Sequence, residues 1–305
     1  MGEYNHFTLS NGIEIPCIGF GTDRTFIFLR KNIIKGFFGI IKDITSGGCY
    51  HLRRDTSIIN IVKNGPANGC FLYDTASSYG QSERVLGYAL NKYKRGDLFV
   101  ITKLSNEEQR CGDVDLALRK SLRRLKTDYV DLYLMHWPQT GAYINSWRQM
   151  EKVYQKGLAK AIGVCNFKRH HFDELMKDAE ICPMVCQIES HPLFAQEDML
   201  RFCKDNNIQM MAYTPTGRMN KRILQNGDIT EIAQKHNKSI AQVVMRWHHQ
   251  RKVIPVVNTT SLAHLIENMD IFDFFLTDEE MARIDRMNID CRLRYDPDTV
   301  DFTKC

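Results

Sequence analysis

Short, continuously apolar runs alternate along the chain with longer segments whose apolar positions recur every three or four residues. The first unit is a hairpin: Phe7–Leu9 and Ile13–Ile15 flank Ser10-Asn11-Gly12, and Asn-Gly is a strong two-residue turn signal. Eight further runs read as strands: Cys17–Gly21, Phe71–Asp74, Leu98–Lys103, Val130–His136, Ala161–Asn166, Val185–Glu189, Gln209–Tyr213 and Val253–Val257. Helical periodicity fills the intervals, at Ser82–Tyr93, Val114–Arg124, Ile144–Lys156, His170–Asp178, Glu197–Asp205 and Ser239–Gln250. Continuous apolar strands spaced by helices imply parallel pairing with both sheet faces covered. Eight such units predict a (β/α)8 TIM barrel, typically about 250 residues, with the hairpin at its N-terminus. A doubly wound dinucleotide-binding sheet is the rival, but it needs G-x-G-x-x-G after its first strand, and only Gly19-Phe20-Gly21 followed by Thr22-Asp23-Arg24 stands there. No linker or internal repeat divides the chain, so residues 1–305 read as a single barrel domain.

One stretch breaks the rhythm. Gly21 and Asp74 are 53 positions apart, about twice what one loop and one helix require. Within it Phe26, Leu29, Ile33, Phe37, Ile40 and Ile44 share a helical face, while Lys31, Lys35 and Lys42 fall on another. An inserted amphipathic helical segment over about 24–55 is therefore expected after strand one, at the rim of the barrel. It would lid the pocket, pack under a neighbouring subunit, or lie on a membrane surface.

Composition narrows the class of protein. The 305 residues are 43% hydrophobic and 25% charged, close to the globular average, which argues against disorder. A net charge of +5 without a Lys/Arg block does not nominate nucleic acid. The mostly apolar stretch Phe26–Ile44 is broken by Arg30, Lys31, Lys35, Lys42 and Asp43, so it is a poor membrane span, and the N-terminus lacks the apolar core of a signal peptide. Ten cysteines without CxxC pairs read as reduced thiols packed as small hydrophobes, and a cytoplasmic location is expected.

In a parallel barrel the chemistry sits where strands end at the C-terminal face. The polar residues at those ends are Asp74 with Tyr79, then Lys103, His136, Cys165-Asn166, Gln187 with Glu189, and Tyr213. Asp74, Tyr79, Lys103 and His136 form an acid–base set. A tyrosine has a reference pKa of about 10, and a lysine beside it is expected to lower that value. A carboxylate would keep the lysine charged and aimed, and a neutral histidine would orient a carbonyl oxygen. Each residue alone has an ordinary structural explanation, such as packing, solvation or a helix cap. Their coincidence at one end of consecutive strands singles them out.

At these residues the chain resembles the aldo-keto reductase family. The resemblance is carried by Gly19-Phe20-Gly21-Thr22, DTASSYGQSERVLGYAL (74–90), ITKL (101–104), LMHWP (134–138), GVCNF (163–167), CQIESHP (186–192), AYTPTG (212–217) and AQVVMRW (241–247). It implies Tyr79 as general acid, Lys103 and Asp74 as its tuning pair, and His136 as the substrate-orienting donor. It further implies that Asn166 and Gln187 hold a nicotinamide carboxamide against Tyr213. Gly21, Thr22, Asp23, Asp74, Cys165, Thr214, Thr216, Asn258, Thr259, His264, Glu267 and Asn268 complete the implied cofactor set. The substrate would meet Tyr79, His136 and Trp137.

Three departures from the family pattern bear on function. Cys165 replaces the usual serine of GVSNF, a weaker hydrogen-bond donor beside the carboxamide. In the segment that binds the adenosine 2′-phosphate of NADPH, Asn258 stands at the lysine position, Thr259 at the serine position and His264 at the arginine position. Losing both cations predicts NADPH or NADH use, with NADH comparable or better, unless Arg251 or Lys252 reaches the phosphate instead. Asp23 takes the place of a common aromatic residue just before the insertion. The tail Arg292-Leu293-Arg294-Tyr295 would fold over the barrel mouth and, with Trp137, Phe167 and the insertion, line an apolar pocket. The short chain between Pro215 and Ile229 would leave that pocket open on one side.

The expected protein is thus an oxidoreductase reducing an aldehyde or ketone with NAD(P)H, with a small-molecule carbonyl substrate, no nucleic acid partner, no stable membrane insertion, and a monomeric or weakly homo-oligomeric state. A cofactor-sensing subunit of the potassium-channel β type is the alternative, with the insertion as its contact surface. A lyase or isomerase using Lys103 as a Schiff base is disfavoured, because no phosphate-binding glycine loop follows strand seven or eight.

Overall fold

The computed structural model describes residues 6–23 and 56–300. Strands β1 (His6–Thr8) and β2 (Glu14–Pro16) form the antiparallel hairpin. The remaining strands are β3 (Gly19–Gly21), β4 (Leu72–Asp74), β5 (Phe99–Leu104), β6 (Leu132–Met135), β7 (Ile162–Cys165), β8 (Val185–Glu189), β9 (Gln209–Tyr213) and β10 (Ile254–Val257). They close as a parallel barrel in the order β10-β3-β4-β5-β6-β7-β8-β9. This is the (β/α)8 architecture, and the doubly wound alternative is excluded. The inserted helix expected over 24–55 lies outside the described residues.

The barrel strands are apolar on both faces because one face packs inside the barrel and the other beneath helices. Every residue of Leu132–Met135, Ile162–Cys165 and Ile254–Val257 is buried. Gly163 marks a place where strands approach too closely for a side chain: a Cβ there would sit 2.5 Å from the Val185 carbonyl oxygen. Outside, Val114–Leu125 turns Val114, Ala117, Leu118, Leu122 and Leu125 inward at helical spacing, and Asp113 caps its first turn by accepting the Leu116 N–H at 2.9 Å. Ser105 with Glu108, Ser239 with Gln242 and Thr277 with Glu280 close reciprocal capping boxes on three other helices.

Element ends depart from expectation where the chain leaves the barrel. The first strand begins at Gly19, and the strands expected to end at His136 and Asn166 stop one residue earlier, so both side chains belong to the loops of the mouth. The helix expected over Ser82–Tyr93 ends at Leu90; Tyr93 turns away and donates its hydroxyl to the Lys63 carbonyl at 2.7 Å. The hairpin closes the opposite end. Phe7 stacks on His249 at 5.5 Å, and Asn11 Nδ2 donates to the Lys160 carbonyl at 2.9 Å; both partners precede strands. Among the described residues no helix is long and apolar enough to cross a membrane.

Candidate active site

A cavity of about 480 Å³ opens at the C-terminal ends of the strands. The acid–base set meets at its floor. Lys103, one residue from the end of β5, is buried; its Nζ donates to Asp74 Oδ1 at 2.5 Å and to the Thr75 carbonyl at 2.9 Å. The same nitrogen lies 3.5 Å from Tyr79 Oη, which in turn lies 3.4 Å from His136 Nε2. Tyr79 is aimed by a tight loop. Its N–H donates to the Ala76 carbonyl at 3.1 Å, its carbonyl accepts from Ser82, and Gly80 takes φ +58°, a left-handed conformation that glycine adopts without strain.

Burial changes the electrostatics from the sequence expectation. It raises the Tyr79 phenol above its ordinary value, and the Lys103 ammonium opposes that rise without cancelling it. The difference is physical: removing a phenolate from water costs more here than the nearby ammonium returns, because Asp74 already takes up that charge. Burial also pulls on the Lys103 ammonium, but Asp74 and Tyr79 outweigh it, so its pKa moves upward and it stays charged. His136 is pushed well below its usual value, first by burial and then by Lys103 and Arg294, so its ring is neutral. At neutral pH the site therefore holds a protonated phenol, an ammonium and a neutral imidazole.

Around this centre the amide side chains are cross-braced. Asn166, in a left-handed conformation at φ +61°, donates Nδ2 to the His136 carbonyl at 2.9 Å and accepts the Tyr213 hydroxyl on Oδ1 at 2.6 Å. Gln187 Nε2 donates to Asp74 Oδ2 at 2.9 Å, while the Cys165 thiol lies 3.7 Å from Gln187 Oε1. Burial keeps that thiol protonated, so it serves as the weak donor that a serine hydroxyl would replace. Each amide retains one N–H and acceptor capacity for a further partner.

Most of the residues implied as cofactor contacts share the cavity wall. Gly21, Asp23, Asp74, Asn166, Gln187 and Tyr213 line it, as do Thr214, Thr216, Asn258, Thr259, His264, Glu267 and Asn268. Thr22 and Cys165 do not: both are buried beneath it, and Thr22 Oγ1 donates to the Asp74 carbonyl at 3.0 Å. Trp137 lines the wall, whereas Phe167, expected beside it, packs in an aromatic cluster with Tyr143 at 5.7 Å and Phe172 at 5.5 Å. Its ring follows β7 outward to the helix layer instead of into the mouth. Arg251 and Lys252 precede β10 and are absent from the lining. Arg251 pairs with Glu197 at 2.5 Å, and Lys252 lies 5.4 Å from the Phe7 ring of the hairpin. Neither is placed to replace the missing cations at the mouth. Arg218, Met219 and Arg294 do line the cavity. Arg218 and Met219 directly follow AYTPTG and carry no periodicity of their own, and Arg294 was legible only as part of a tail expected over the mouth.

The cavity fits a nicotinamide dinucleotide by its own chemistry. It runs from the Tyr79–His136 pair to the helix Leu262–Met269, it presents the two braced amides, and the Thr214 hydroxyl oxygen in its wall is buried without a hydrogen-bond partner.

The sequence profile of the aldo/keto reductase family matches residues 48–289. The chain is 42% identical over 273 residues to glyoxal reductase of Bacillus subtilis, covering 89% of this chain and 98% of that protein. It is 39% identical over 314 residues to morphine 6-dehydrogenase of Pseudomonas putida, covering 98% and 97%. The crystal structure of a Bombyx mori aldo-keto reductase in complex with NADP superposes with a TM-score of 0.83 at 28% identity, covering 100% of this chain and 97% of that one. Relatives named for reductase and dehydrogenase activities favour an enzyme over a cofactor-sensing channel subunit. The chain belongs to the aldo/keto reductase family and is an oxidoreductase.

Proposed function

We propose that the protein reduces an aldehyde or ketone to the alcohol, using NADPH or NADH, with Tyr79 as the general acid. The reading rests on one observation: the Tyr79 hydroxyl, 3.5 Å from Lys103 Nζ and 3.4 Å from His136 Nε2, faces the cavity. The cofactor supplies the hydride when bound. Tyr79 gives its proton to the carbonyl oxygen, and the Lys103 ammonium stabilises the phenolate left behind. Asp74 holds that ammonium in place. The Ser78 hydroxyl lies 3.2 Å from His136 Nδ1; donating there, it leaves the ring proton on Nε2, the nitrogen nearest Tyr79. His136 then donates a second hydrogen bond to the carbonyl oxygen and fixes its orientation.

Asn166 and Gln187, supported by Cys165, would hold the nicotinamide carboxamide, with Tyr213 beneath its ring. Asn258, Thr259 and His264 would face the adenosine end. Asn258 Nδ2 donates to the Asp23 carbonyl, and no lysine or arginine occurs between positions 258 and 268. This supports NADH use at least comparable to NADPH use. Relatives crystallised with NADP or NADPH establish nicotinamide binding for those proteins.

Replacing Tyr79 by Phe tests the reading. Turnover should fall by about a thousandfold, within the range for a lost general acid, while cofactor binding measured by fluorescence titration is retained. Carbonyl reduction that survives Y79F would exclude Tyr79 as the acid.

A further inference from the structure

Two of the four acid–base groups sit on the barrel itself and two do not. Asp74 and Lys103 belong to β4 and β5, whereas His136 directly follows β6 and Tyr79 stands five positions beyond the end of β4. Loops are the mobile part of a barrel, so the 3.4 Å spacing of Tyr79 Oη and His136 Nε2 needs support from outside the strands. Asn166 gives some of it by holding the His136 carbonyl. The short helix Asn106–Cys111, whose N-cap Ser105 directly follows β5, reaches both loops.

Glu108 of this helix holds the Tyr79 loop. The Ser77 hydroxyl lies 2.6 Å from Glu108 Oε2 and 3.0 Å from the Lys103 carbonyl, and the closer, charged acceptor takes its proton. The same carboxylate oxygen accepts the Ser105 N–H at 2.9 Å and the Ser105 hydroxyl at 2.8 Å, within the capping box. Glu108 is thereby fixed to the end of β5 while it grips Ser77, two positions before Tyr79. Ser78, between them, places its hydroxyl 3.2 Å from His136 Nδ1.

Gln109 holds the other loop. It is buried, and its Nε2 donates to the Trp137 carbonyl at 2.9 Å, beside His136. Arg110 extends the contact, with Nη1 donating to Gln139 Oε1 at 3.0 Å. Consecutive helix positions are turned about 100° from one another, so neighbouring side chains can address two different loops. Neither Glu108 nor Gln109 lines the cavity, so an effect of either on turnover passes through the loop it holds.

We propose that this helix sets the spacing of the proton donor and the orienting imidazole, with Glu108 and Gln109 as positioning residues. Glu108 acts through Ser77 on Tyr79, and Gln109 acts through the Trp137 main chain on His136. The inference rests on the carbonyl reduction proposed above and adds what keeps its two loop-borne groups aligned. A small displacement of a reacting group is costly in rate, because the productive geometry is narrow.

The test is kinetic, on the full chain at pH 7, with NADPH and NADH and the best substrate from a panel of aldehydes and ketones. S77A should lower kcat by about tenfold or more while the KM for cofactor stays unchanged. E108A should lower kcat too, and S77A/E108A no further than the slower single variant, because both remove one contact. E108Q keeps an acceptor for the Ser77 hydroxyl and should recover most of the rate. Q109M, similar in shape, removes the bond to Trp137 and should lower kcat with the cofactor KM again unchanged. S105A weakens the cap of the same helix but leaves the Ser77–Glu108 bond, so it should spare kcat even where the urea midpoint falls.

Wild-type kcat in S77A or in Q109M would overturn the proposal, as would an E108Q enzyme as slow as E108A. A kcat loss in S105A equal to that in E108A, or fully additive losses in S77A and E108A, would assign the effect to general loosening and also overturn it. Y79F separates this inference from the reading beneath it. If Y79F still reduces carbonyls, or if the wild type reduces none, the reading itself fails; an inactive Y79F beside a fully active S77A sinks this inference alone.

Discussion

Lys103 Nζ and Asp74 Oδ1 stand 2.5 Å apart beneath the cavity, with 1% and 5% of their side chains exposed. So buried a pair is held by mutual need: each charge would be costly without the other, and Gln187 donates to the carboxylate while the Thr75 carbonyl accepts a second bond from the ammonium. The pair would link barrel stability to the proposed proton transfer, because the ammonium that faces Asp74 also faces Tyr79.

Breaking it should affect both. K103M leaves the Asp74 carboxylate buried and should destabilise the protein by about 3–5 kcal/mol in urea unfolding, with turnover lowered as well. D74N keeps a similar shape but removes the anion, and should lower kcat by about a hundredfold with a smaller change in cofactor affinity. A D74N enzyme with unchanged kcat would separate the pair from the proton transfer.

Cofactor choice is the second expectation. With Asn258 and His264 at the positions implied for the 2′-phosphate, and with Arg251 and Lys252 at the far end of the barrel, wild-type kcat/KM for NADH should equal or exceed that for NADPH. Installing both charges in N258K/H264R should raise the NADPH:NADH ratio by about tenfold or more. A wild-type preference for NADPH of about a hundredfold would overturn the expectation and direct attention to Arg218, which lines the same cavity.

Stability should depend on pH through buried histidines. Burial, reinforced by the adjacent His170, lowers His171 to about 4, and burial holds His136 and His248 well below their usual value. The unfolded chain binds protons on these rings below about pH 6.5 while the folded chain does not, so folding stability is complete above that pH and is lost as pH falls towards 4. Urea midpoints should therefore decline between pH 7 and pH 5. His171 Nδ1 accepts the Lys168 N–H at 3.1 Å, a capping contact that glutamine can imitate, so H171Q should flatten the decline without abolishing folding. A midpoint independent of pH across that range would contradict the account.

Much of the architecture was readable because a parallel barrel demands it locally. Strands covered on both faces must be continuously apolar, and Val185–Glu189 and Gln209–Tyr213 run as their patterns predict. The candidate catalytic residues were readable for the same reason: in such a barrel a polar residue at a strand end has one face to occupy, and Asp74, Lys103 and His136 all lie there.

What only the folded chain decided concerns contacts between distant segments and the loss of water. Glu189 and Leu293 are 104 positions apart, and no periodicity joins them, yet their contact places Arg294 at the mouth. The side on which Phe167 packs depends on Tyr143 and Phe172, not on its own motif. The rise of the Tyr79 phenol follows from desolvation, a property of everything packed around it. Sequence alone determined the barrel and the chemical groups at its strand ends, because backbone periodicity and residue type are local. Tertiary structure decided which side chains line the cavity and how far burial shifts their protonation, because burial and long-range contact arise only once the barrel is closed.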